Sequence, residues 1–188
     1  GQLLNISALA NDLGVARKTI NRWISILEAS HIIYFLYPWG PSRTSSLVKT
    51  PKIYFCDTGV VSALLNINTA DQMLRDPLRG SIFENYCVME AMKQRNNKAL
   101  PENLYFYRDK YKTEVDLLFE KGRKMVPFEI KSSDRYNKEQ LSKIKKFAYQ
   151  NQNYLSEEEK GALIYAGDIR AELGGYQIVP FTEIGNLF

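Results

Sequence analysis

Three side chains have the types and spacing for phosphodiester chemistry. Asp116 breaks the apolar run Val115-Asp116-Leu117-Leu118-Phe119, and Glu129 and Lys131 flank Ile130 in Phe128-Glu129-Ile130-Lys131. Side chains alternate along an extended strand, so Glu129 and Lys131 share one face while Phe128 and Ile130 share the other. Two carboxylates on adjoining strands can hold one hard divalent cation through oxygen ligands, Mg2+ or its substitute Mn2+. A lysine beside them can orient water and stabilise charge on a phosphate. A fourth residue, Glu84, falls at helical spacing on one face with Cys87, Val88 and Ala91, where a carboxylate is costly unless paired or bound to a cation. The same set also has a plain structural reading, with Glu129 and Lys131 as an ion pair at a strand end and Asp116 capping a turn.

Histidine contributes nothing to this set. His31 is the single histidine of the 188 residues, which removes His-ligated metal centres and most Ser-His and Cys-His schemes. Cys56 and Cys87 form no CxxC pair, so a structural zinc site is not expected and free cysteines are. Asp57-Thr58-Gly59 matches the short signature of aspartic proteases, but one copy supplies half a catalytic pair. Asp57 is better placed as the cap of a helix starting near Val60.

The elements that must position these residues can be read from periodicity. A helix is expected over residues 81–94, then strands over 104–108, 114–119 and 125–131. The last two should form a hairpin around Lys121-Gly122-Arg123. A basic helix over 138–149 turns Leu141, Ile144 and Phe147 inward, and strands over 161–166 and 176–180 complete an α-β-β-β-α-β order. On that helix Lys138, Lys143, Lys145 and Lys146 offer a local basic surface or simply a solvated face.

The net charge of +4 belongs wholly to the first 52 residues, which hold six basic side chains and two acidic ones. Apolar spacing predicts a helix over 6–13 that stops at Gly14. A second, over 16–29, carries an Ile20, Trp23, Ile24, Leu27 stripe opposite Arg17, Lys18, Asn21, Arg22 and Ser25. Two strands, over 32–37 and 52–55, flank the turn-forming segment from Tyr37 to Ser46. This arrangement resembles a winged-helix domain with a helix-turn-helix. Its DNA-binding reading assigns Arg17, Lys18 and Arg22 to phosphates or base edges. The alternative is a packing module with a solvated basic face.

Asp116 followed by Glu129-x-Lys131, in this element order, is similar to the PD-(D/E)xK nuclease superfamily. Glu84 matches the position of an additional acidic residue on the first core helix of many members. Glu114-Val115 precedes the aspartate here, where the motif has proline. The stretches Pro51-Lys52-Ile53-Tyr54-Phe55-Cys56-Asp57-Thr58-Gly59 and Gly80-Ser81-Ile82-Phe83-Glu84-Asn85 resemble the domain of unknown function 4143. That resemblance implies a position at the C-terminus of a bacterial or archaeal AAA-type ATPase. No GxxxxGK[ST] loop occurs in this sequence, so ATP is not expected to bind it and the ATPase would lie upstream. A start at Gly1 fits a piece of a longer chain.

The expected fold is therefore α/β (α+β): a winged helix over 1–56, a connecting segment over 57–80, and a PD-(D/E)xK-like three-layer domain with a mixed central sheet over 81–188. The expected catalytic set is Glu84, Asp116, Glu129 and Lys131, with Asp116 and Glu129 as Mg2+ or Mn2+ ligands. DNA and the upstream ATPase are the expected partners. The longest apolar stretch, residues 32–39, is far below the about 20 residues that span a bilayer, and no secretory leader is evident, so a cytoplasmic location is expected. A non-catalytic module that recognises nucleic acid or protein is the alternative to an enzyme.

Overall fold

The computed structural model describes residues 1–40 and 48–188. Its first helices, α1 (Ile6–Leu13) and α2 (Arg17–Ala29), lie where the apolar spacing put them. The Asn5 side chain accepts the Ala8 N–H at 3.0 Å and so caps α1. Gly14 ends it at φ 65°, a left-handed conformation that glycine adopts without a Cβ penalty. The α2 stripe is only partly covered: Ile20 is buried, Ile24 and Leu27 are half-buried, and Trp23 is 45% exposed. Helix α2 packs on α1 and on the strand that follows it.

Three short strands, β1 (Gln2–Leu3), β2 (Ile33–Leu36) and β3 (Lys52–Phe55), form an antiparallel sheet in the order β1-β3-β2. Of the turn-forming segment after β2, Pro41 to Ser46 lie outside the described residues. Residues 57–80, expected as a connection, hold two short helices, α3 (Thr58–Leu64) and α4 (Ala70–Arg75). Asp57 caps α3 by accepting the Gly59 N–H, and Thr69 with Gln72 forms a capping box on α4.

The remainder is a mixed six-stranded sheet with helices on both faces, an α/β architecture. Helix α5 (Arg79–Asn97) precedes β4 (Leu104–Arg108), β5 (Glu114–Lys121) and β6 (Lys124–Lys131). A 3-10 turn over Lys138–Leu141 leads into α6 (Ser142–Gln150), followed by β7 (Ala162–Tyr165), β8 (Ala171–Leu173) and β9 (Tyr176–Pro180). The strand order is β4-β5-β6-β7-β9-β8, with β6, β7 and β9 mutually parallel and the other pairings antiparallel. The β5–β6 turn is Gly122-Arg123, with φ values of 58° and 68°, as a two-residue hairpin turn requires.

Two apolar clusters hold the layers. On one face Cys87, Val88 and Ala91 of α5 pack with Leu117, Phe128 and Ile130. Leu36 and Tyr54 of the N-terminal sheet belong to that same cluster, so the small sheet and the large one share a core. On the other face Leu141, Ile144 and Phe147 of α6 pack with Val115, Leu118 and Leu163. Among the described residues no helix is long and apolar enough to cross a membrane.

The registers Tyr105↔Leu118 and Tyr107↔Val115 leave one extra residue on β5, a β-bulge at Asp116-Leu117. It reverses the alternation, so that Val115 faces α6 while Leu117 faces α5. Past the bulge, β5–β6 pairing stops at Leu117↔Phe128, and the Asp116 carboxylate accepts the Ile130 N–H at 2.9 Å in place of a ladder bond.

Before β7 the chain passes so close to β6 that only glycine fits. A Cβ on Gly161 would stand 2.1 Å from the Pro127 carbonyl oxygen, at a φ of +109°. Gly161→Ala is expected to cost about 3 kcal/mol, combining backbone strain with displacement of β6. Urea denaturation checks this, and a loss below about 1 kcal/mol would contradict it.

Candidate active site

The bulge, the end of β6, the first half of α5 and β3 converge on one cluster of charged groups. Glu129 lies in β6 with no exposed surface. Its Oε1 takes Lys131 Nζ at 2.5 Å and Lys143 Nζ at 3.2 Å. Its Oε2 is buried and has no hydrogen-bond partner. A buried carboxylate oxygen is normally satisfied, and this one is not. Phe128 and Ile130 face the α5 core, so Glu129 and Lys131 do share the opposite face.

Asp116 is 6% exposed, with Lys131 Nζ 3.8 Å from its Oδ2. Burial first, then the neighbouring charges of Glu129 and Glu84, push its carboxyl up to about 7, against the opposing pull of Lys131 and Lys52. The ion pair between Glu129 and Lys131 is present at the strand end. Asp116, though, sits inside β5 and caps no turn.

Glu84 joins the cluster from α5 and is held by β3. Its Oε1 accepts from Lys52 Nζ at 3.0 Å and from the Tyr54 hydroxyl at 2.7 Å. Burial alone would raise this carboxyl, but the Lys52 ammonium and the Tyr54 hydroxyl oppose it and hold it below the ordinary carboxylate range. Lys52 also reaches Glu114 Oε1 at 2.6 Å, and Glu114 Oε2 pairs with Arg108 at 3.1 Å across the β4–β5 ladder. Burial disfavours the Lys52 ammonium, but Glu84, Asp116 and Glu114 reverse that and hold it above its usual value.

Two of these participants are not legible as site residues in the sequence. Lys52 counted among the six cations of the basic N-terminal module, yet it is 2% exposed and faces carboxylates. Lys143 belonged to the basic face of α6, yet it turns onto Glu129. Its neighbours Leu141 and Ile144 point into the core on that face of the sheet. Arg17, Lys18 and Arg22 are all exposed on α2.

The donor set suits a small hard cation. Asp116 and Glu129 carry the oxygen donors such an ion would take, and the orphaned Glu129 Oε2 is the kind of atom it would satisfy. Among the described residues, no group of three or more Asp, Glu, His or Cys side chains is disposed to hold a metal ion. Cys56 and Cys87 are free thiols.

The family described as a domain of unknown function (DUF4143) matches residues 79–184, more than half of the sequence and all of the α5-to-β9 unit. The chain belongs to this family. A second domain of unknown function (DUF8612) matches residues 1–71. Uncharacterized protein Rv2008c of Mycobacterium tuberculosis and uncharacterized protein Mb2031c of Mycobacterium bovis are each 31% identical over 131 residues, covering 70% of this chain. The aligned part is 29% of the length of those relatives, so most of each lies outside the match. The two stretches that carried the family resemblance touch: Glu84 holds Lys52 and Tyr54, and Asn85 makes paired hydrogen bonds to the Phe55 backbone at 2.8 and 2.7 Å.

Proposed function

We propose that this DUF4143 chain is a metal-dependent phosphodiesterase of the PD-(D/E)xK type, acting on DNA. The observation that carries this reading is Glu129, fully buried, with one oxygen held by two lysines, one of them shared with Asp116, and the other oxygen without a partner. Asp116 and Glu129 would hold Mg2+ or Mn2+. A divalent cation there supplies Lewis-acid stabilisation of charge on a phosphate. Lys131 and Lys143 have 31% and 46% of their side chains exposed, so both can exchange Glu129 for an incoming phosphate oxygen. Lys131, the nearer to Asp116, is placed to orient water and to stabilise negative charge on the phosphate. Glu84 belongs to this catalytic set through its charge, which acts on Asp116.

In the same reading α1, α2 and the β1-β3-β2 sheet form a winged helix that brings the module to DNA through Arg17, Lys18 and Arg22. A cytoplasmic AAA-type ATPase upstream in a longer protein would control it. The relatives, more than three times the length of the aligned part, leave room for such a domain.

One observation favours a non-catalytic recognition module instead. Lys52, Arg108, Lys131 and Lys143 balance Glu84, Glu114, Asp116 and Glu129 without any metal. Calorimetry with Mn2+ separates the two readings. Wild type is expected to bind one ion, and Glu129→Gln to weaken binding at least 100-fold while staying folded by circular dichroism. Absence of binding by folded wild type would remove the metal reading and favour the recognition module.

A further inference from the structure

Four carboxylates crowd the candidate site, and they are not held alike. Glu84 Oε1 is held by Lys52 and Tyr54, both from β3. Glu114 is held through both oxygens, by Lys52 at 2.6 Å and by Arg108 at 3.1 Å. Glu129 keeps one oxygen free of any partner, and Asp116 has one backbone bond and a lysine at 3.8 Å. Lys52 is common to both tied carboxylates. It is 2% exposed, with its ammonium 5.5 Å from the centre of the Phe106 ring, in a place where an unpaired cation would be very costly.

We infer that Lys52 is a positioning residue of the site: from the N-terminal sheet it ties back Glu84 and Glu114, leaving Asp116 and Glu129 as the pair that receives the cation. The inference rests on the metal-dependent reading above. It makes β3 a working part of the site and explains a buried lysine in a strand otherwise filled with apolar and aromatic side chains. Without Lys52, Glu84 is free to turn toward the cation as a third carboxylate. Binding then tightens while the geometry for chemistry is lost.

The test compares wild type, Lys52→Met, Glu84→Gln and the Lys52→Met/Glu84→Gln double variant, by Mn2+ calorimetry and by cleavage of supercoiled plasmid at saturating Mn2+. Lys52→Met is expected to bind Mn2+ about tenfold more tightly and to cleave at least tenfold more slowly, since it removes a cation and releases a carboxylate. A merely structural residue would lower both. The double variant restores the wild-type charge balance and is expected to bind within about threefold of wild type, the signature of a coupled pair. Glu84→Gln alone is expected to weaken binding by no more than about tenfold, through lost charge, because Glu84 is not a ligand while Lys52 holds it.

Weaker or unchanged Mn2+ binding by folded Lys52→Met overturns the inference and leaves the metal site standing. Should Lys52→Met fail to fold, the other two variants decide: a 100-fold loss in Glu84→Gln makes Glu84 a ligand and overturns the inference. Folded wild type that binds no Mn2+ removes the metal reading itself.

Discussion

Lys131→Met is expected to bind Mn2+ at least as tightly as wild type and to cleave DNA about 100- to 1,000-fold more slowly, the loss typical of removing one donor to developing charge. The side chain lies at the open end of β6, 31% exposed, with its ammonium 2.5 Å from Glu129 Oε1 and 3.8 Å from Asp116 Oδ2. A cation in that position opposes a second cation on the same carboxylates, so its removal cannot weaken metal binding by charge. What it withdraws is a donor to the phosphate. Glu129 is not orphaned in the variant, because Lys143 remains at 3.2 Å from the same oxygen. The measurement pairs Mn2+ calorimetry with single-turnover plasmid cleavage at saturating metal. A parallel fall in affinity and rate would make Lys131 a structural partner of Glu129 and defeat its assigned role.

Charged residues that interrupt apolar runs were easy to read. Asp116, Glu129 and Lys131 stood out because a carboxylate or ammonium in a buried strand needs a reason, and the alternation in Phe128-Glu129-Ile130-Lys131 assigned their faces correctly. The helices and strands that carry them were legible for the same reason: periodic burial leaves a periodic sequence. The bulge at Asp116-Leu117 left no such trace. Both faces of β5 are covered, by α5 and by α6, so Val115, Leu117, Leu118 and Phe119 are apolar whichever way each points.

Lys52 and Lys143 were hidden by distance along the chain. The partner Glu84 is 32 positions from Lys52, and Glu129 is 14 from Lys143, so their roles exist only once the sheet is assembled. The three-residue strand β8 is half-exposed or exposed throughout and had no pattern to show. The stripe on α2 is the reverse case, in which a clear apolar period predicted burial that Trp23 does not have.

Asp116→Asn is expected to stabilise the metal-free protein at pH 8 and, on the metal-dependent reading, to abolish Mn2+ binding. The sign follows from proton linkage. The folded-state carboxyl is raised from 3.8 to about 7, so between those values the native state retains a proton that the unfolded chain has lost. Stability therefore falls as pH rises through that window, by up to about 4 kcal/mol when the rise is converted at 1.36 kcal/mol per tenfold change in proton affinity.

Asparagine removes this titration, and its side-chain oxygen can still accept the Ile130 N–H that Asp116 accepts at 2.9 Å. In EDTA the variant should be within about 1 kcal/mol of wild type near pH 4 and more stable by about 2–4 kcal/mol at pH 8. Adding Mn2+ at pH 8 should restore wild type alone, because a ligand that binds only the native state stabilises it by mass action. Urea denaturation across pH, with and without Mn2+, reads all three terms. Equal pH slopes for the two proteins would mean that Asp116 is already ionised in the folded state, with its charge met by Lys131 and Lys52. A carboxylate held charged at a stability cost, and relieved by a cation, is what separates a binding site from a structural ion pair.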